Sequence, residues 1–130
     1  MLWFDGPEES LAQVLTHLVH AKECWLAAID GTDHPPSRAD DVGTLLERHE
    51  VAASRWLAAV RDIDRRGAWD DRLVDALCEP PESFVLSSVV AHVLTFSAHR
   101  RQLARQLLRT LGAEVDDGDP ITWLRGRASS

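Results

Sequence analysis

Four histidines, His17, His49, His92 and His99, carry the chemistry this chain could do. His17 lies in line with Val14, Ala21, Cys24 and Ala28 at helical spacing. His92 lines up with Val85, Val89, Phe96 and His99, and His49 falls in an apolar stripe of its own. Imidazoles that converge from separate helices are how bundle proteins build metal sites. A histidine on an apolar face can equally be a hydrogen-bonded core residue, and both readings stand for each of the four. A level count with neighbouring helices antiparallel allows His17 with His92, His17 with His99, or His49 with His99. His92 and His99 lie ~10.5 Å apart along one helix, so one ion holding both is awkward. Cys24 shares the His17 side, where a buried thiol is ordinarily inert packing.

The elements that must position these groups are three long helices. The first runs from about Glu8 to Asp30, with Pro7 at its start, and Gly31 closes it. Asp33, Pro35, Pro36 and Ser37 mark a loop. The second helix runs from about Asp41 to Asp64, with Trp56 in its stripe and Gly67 closing the region. Asp71–Leu77 suggests a short helix stopped by Pro80 and Pro81. The third long helix spans about Glu82 to Leu111 and ends at Gly112. Its first half, from Phe84 to Phe96, is apolar nearly all round, which predicts burial on every side. Two partner helices cannot easily cover such a surface, so a second copy in a symmetric homodimer is the expected cover. Residues 113–130 read as an irregular acidic tail anchored by Trp123 and Leu124 and frayed after Arg125. The fold expected is all-α: one domain over residues 1–130, an up-down bundle of three long antiparallel helices completed by dimerisation.

The net charge of −7 argues against nucleic acid as a partner, since phosphate binding needs clustered cations. Arg100, Arg101, Arg105 and Arg109 read as a solvated face. No apolar run reaches the ~20 residues of a membrane span. Two distant cysteines without zinc spacing, and no signal peptide, point to a reducing cytoplasm. There is no serine elbow, phosphate loop or catalytic carboxylate pair.

The stretch Thr16–Leu26, with its histidine, apolar pair, acidic residue and Trp25-Leu26, resembles the second helix of the DinB family. Ala91–Leu103, followed by Leu107–Gly112, is similar to that family's last helix, where His-x-x-x-His-Arg-Gly-Gln precedes Leu-Arg-x-Leu-Gly. The resemblance covers about residues 8–112. It implies a four-helix bundle, often dimeric, with a divalent metal held by one histidine of the second helix and two of the last. His17 and His99 match two of these positions. Thr95 stands at the third, Arg101 replaces the usual glycine, and the family's first helix has no counterpart here.

Two functions follow. In the first, His17 and His99 hold zinc or nickel, with His92 or His49 as third ligand, or with water or Glu23 completing the shell. The resemblance then implies hydrolase or transferase chemistry with a low-molecular-weight thiol. In the second, the bundle is a metal-free structural or small-molecule-binding homodimer, its pocket lined by Trp25, Trp56, Thr95, Phe96 and the histidines.

Overall fold

The computed structural model describes residues 10–75 and 82–128. The chain runs α1 (Leu11–Asp30), α2 (Val42–Arg66), β1 (Arg72–Asp75), β2 (Glu82–Val85), α3 (Leu86–Thr110) and α4 (Pro120–Ala128). The three long helices lie near where periodicity puts them, and polar caps start the first two. Ser10 accepts from the Gln13 amide while the Gln13 side chain accepts from the Ser10 amide, a reciprocal capping box. The spacing Ser-x-x-Gln announces this start in the sequence. The Pro7 signal lies outside the described residues. Asp41 caps α2 by accepting from the Thr44 amide at 2.7 Å. Gly31 and Gly67, at φ of 71° and 62°, close α1 and α2 in the left-handed conformation that glycine adopts without steric cost.

α1 is the middle helix and packs against both α2 and α3. Its direction relative to α2 can be read from two ion pairs. Glu23 pairs with Arg48, and Asp30 pairs with Arg55. Both partners advance together along their helices, so α1 and α2 run parallel. α3 runs the other way, because Phe84 of β2, just before it, and its own His92 flank Trp25 while its later Arg101 acts on Lys22. The expected arrangement of three alternately antiparallel helices is therefore corrected. The connection makes this possible: residues 31–41, fully extended, span about 36 Å, enough to return along an α1 that is ~30 Å long at ~1.5 Å per residue.

Two further expectations are corrected. β1 replaces the short helix expected over Asp71–Leu77, at least through Asp75, and pairs antiparallel with β2 in the register Arg72↔Val85 to Asp75↔Glu82. β2 takes the residues expected to begin α3. The amides of Leu86 and Ser87 donate to the carbonyls of Asp71 and Trp69, which anchors the hairpin to the start of α3. The expected stop at Pro80 and Pro81 lies outside the described residues. The tail is not irregular throughout, since α4 forms within it. Trp123 and Leu124 are more than half exposed there rather than anchored.

The main core gathers Leu26 of α1, Ala52, Trp56 and Ile63 of α2, and Leu86, Val90 and Val93 of α3. The early part of α3 is thus covered within one chain along Leu86, Val89, Val90 and Val93, while Leu94 stays 58% exposed. No helix among the described residues is long and apolar enough to cross a membrane.

Candidate functional site in the groove between α1 and α3

Trp25 fixes the groove. Its ring meets Phe84 edge-on at 6.2 Å and His92 at 5.5 Å between centroids. His92 then stacks on Phe96 at 6.0 Å, and the Arg100 guanidinium lies 5.1 Å from the Phe96 ring centre. The sequence permits this run because 92, 96 and 100 share one side of α3 at i, i+4 spacing. Trp25 and Phe96 are half-buried, and His92 is exposed.

The same contact sets the heights of the other histidines. His17 is eight residues before Trp25, about 12 Å along α1, and His99 is seven after His92, about 10.5 Å along α3. Because these helices are antiparallel, both steps lead toward the same end of the groove. His17 and His99 therefore sit at one level, and His92 does not share the level of His17. The sequence-based count assumed the wrong helix directions. His99 is exposed on the flank of α3 rather than turned inward, and His17 is half-buried.

His49 does not join them. It follows Arg48, which is level with Glu23, so it lies about 10 Å up the bundle from His17. Burial first, and then the cations Lys22 and Arg101, hold its imidazole below the ordinary histidine range. Glu23 is not available as a ligand either. Its carboxylate accepts from Arg48, which also donates to Asp40 at 2.9 Å. These bonds, that to Glu23 foremost, raise the arginine further above its usual value. Trp56 is buried in the core cluster against which Trp25 packs, whereas Thr95 is exposed one residue before Phe96.

The Cys24 thiol lies against His20, with Sγ 3.4 Å from Nε2 one turn away on α1. Burial pushes the His20 imidazole down. Glu23 acts against that, while Arg48, His17 and His34 act with it. His34 is half-buried.

Arg100 was placed on a solvated face by its neighbours, yet it is 1% exposed. The signal was present: Val93, Ser97, Arg100 and Ala104 follow the 4, 3, 4 spacing of the buried stripe. Arg105 and Arg109 hold the tail, through the Asp116 carboxylate at 3.0 Å and the Asp116 carbonyl at 2.7 Å.

Among the described residues, no three His, Cys, Asp or Glu side chains gather where one ion could be held. Thr95 takes the place of one expected donor, and His92 is engaged with two aromatic rings. The described side chains therefore do not fit a three-histidine metal centre.

Residues 3–118 match the DinB superfamily. The chain belongs to the DinB superfamily. No curated protein and no solved structure matches it significantly. The family match thus extends the likeness read over about residues 8–112 by a few residues at each end.

Proposed function

We propose that this DinB-superfamily chain binds a small molecule with a flat, apolar body along the α1–α3 groove, without a metal and without catalysis. The observation that supports it is the run of rings Phe84, Trp25, His92 and Phe96, backed by Arg100. Rings held on helices and a paired strand lose little freedom on binding, and their wetted faces favour a flat partner by roughly 25 cal/mol per Å² covered. His92 in the run and Thr95 beside Phe96 would orient polar substituents, with His17 and His99 farther along the groove. Titration with anilinonaphthalene sulfonate, followed by probe fluorescence, tests this. His92→Ala and Phe96→Ala should each weaken binding at least roughly tenfold with the far-ultraviolet circular dichroism unchanged, and a chelator should have no effect. Binding indifferent to both substitutions would overturn the reading.

A second reading rests on the level shared by His17 and His99. There the two imidazoles hold zinc or nickel, and the family's thiol-dependent transferase or hydrolase chemistry follows. Two protein ligands are fewer than the three of ordinary catalytic zinc sites. Equilibrium dialysis against zinc separates the readings. Uptake near one ion per chain, lost in both His17→Ala and His99→Ala, selects the second. Uptake below about a tenth of an ion per chain selects the first.

A further inference from the structure

Two ionisable residues stand in the apolar stripes of α1 and α2. On α1, Leu11, Leu15, Leu18, Lys22, Trp25 and Ile29 repeat at the 4, 3, 4, 3, 4 spacing of a buried face. Lys22 points within about 40° of Leu18 and Leu26, both buried, and Leu26 joins residues of α2 and α3 in the core. On α2, Leu45, His49, Ala52 and Trp56 repeat at 4, 3, 4, and all but His49 are buried. Lys22 and His49 are each half-buried. Ionisable groups in such positions cost stability unless something pairs with them.

The Glu23–Arg48 pair puts Lys22 and His49 within about 3 Å of one level. Arg101 of α3 completes the group. Counted from the Trp25–His92 contact, Lys22 is three residues back along α1 and Arg101 nine residues on along α3. The backbone of Arg101 therefore lies about 9 Å nearer the start of α1 than that of Lys22. Side chains on a helix lean toward its own N-terminus. Because α1 and α3 are antiparallel, Lys22 and Arg101 lean toward each other across that gap. His49, on the parallel α2, leans the same way as Lys22. Burial first and then Arg101 hold the Lys22 ammonium below its usual value, and both cations act on His49. Among the described residues, no acid forms an ion pair with Lys22, His49 or Arg101. Glu23 is turned about 100° from Lys22 and held by Arg48, and Glu50, which acts on His49, is exposed.

We propose that Lys22, His49 and Arg101 form an anion site between α2 and α3 that takes the phosphate group of a small molecule. Three donors from three helices match the three free oxygens of a phosphate monoester, whereas a carboxylate offers two oxygens that one arginine fork can fill. His92 and Arg101 are nine residues apart, about half a turn around α3. The site therefore lies on the flank of α3 away from the ring groove, and it does not depend on what the groove binds.

Isothermal titration calorimetry with sodium phosphate near neutral pH, at ionic strength held constant with sodium chloride, tests this. The parent should take up one phosphate per chain. Lys22→Met, His49→Gln and Arg101→Gln should each weaken uptake at least roughly tenfold, while Arg61→Gln, at an exposed position of α2, should not. Without phosphate, Lys22→Met should melt no lower than the parent, because it removes a half-buried charge, so its loss of binding is not loss of fold. Phenyl phosphate in the same titration separates an ester from the free ion as ligand: tighter binding names the ester, weaker binding the free ion. A parent that takes up nothing at about 10 mM phosphate, acetate bound as tightly as phosphate, or uptake unchanged in all three site variants would each overturn the proposal.

Discussion

Replacing Arg48 by Met tests the junction that fixes the direction of α2 against α1. The guanidinium bonds the Glu23 carboxylate through two nitrogens and the Asp40 carboxylate through a third. Side-chain exposures are 10% for Arg48 and 20% for each acid. Removing one partner of a fully buried pair costs about 3–5 kcal/mol, and of an exposed pair about 0–1 kcal/mol. A site four-fifths covered should lie between, at roughly 2–3 kcal/mol, because two carboxylates lose their counter-charge while keeping partial contact with water. For a chain of this length that corresponds to a fall in Tm of about 6–15 °C. Urea unfolding measures the loss directly, and the midpoint should move with the slope m unchanged. Arg55→Met is the control. Its pair with Asp30 is about half exposed on both sides and should cost under about 0.5 kcal/mol. A loss for Arg48→Met no larger than for Arg55→Met would refute the reasoning, and with it the role given to this junction.

The remaining expectations concern pH, the tail, the core and metal. Burial holds His20 and His49 below their ordinary value in the folded chain. Each therefore contributes stability that is complete above about pH 6.5 and is lost as pH falls through the depressed folded value. His20→Gln and His49→Gln should flatten the decline in Tm between about pH 7 and pH 5, and an unchanged profile in both would contradict this. Gly118→Ala should cost about 1 kcal/mol, because Gly118 has a φ of 68° and a Cβ would come within 2.5 Å of the Arg105 guanidinium. Faster amide exchange around Asp116 and Asp117 would report it. Leu26→Ala, at a site 1% exposed, should cost about 2–5 kcal/mol in urea unfolding. A chelator should leave the parent Tm unchanged within about 1 °C if the groove binds without metal, and a larger fall would favour the two-histidine reading.

The sequence by itself determined the three long helices, their glycine ends and the family. Apolar spacing, capping residues and glycine's tolerance of positive φ act within a few residues of one another. The same locality explains the misreadings. Arg72–Asp75 has enough helical character on paper, but it is a strand because Glu82–Val85 returns to pair with it, and the gain comes from a partner strand beyond the reach of helical spacing. Arg100 was legible from its spacing to Val93, Ser97 and Ala104, yet its charge and its neighbours pointed outward. Helix direction was beyond local reading. A pattern of faces says which side of a helix is buried, not whether the chain returns along it before the next helix starts. Only the tertiary structure, through Glu23–Arg48 and Asp30–Arg55, decided that α1 and α2 are parallel. Likewise only the ring contacts of Trp25 decided that α3 runs against α1, which set His17 level with His99.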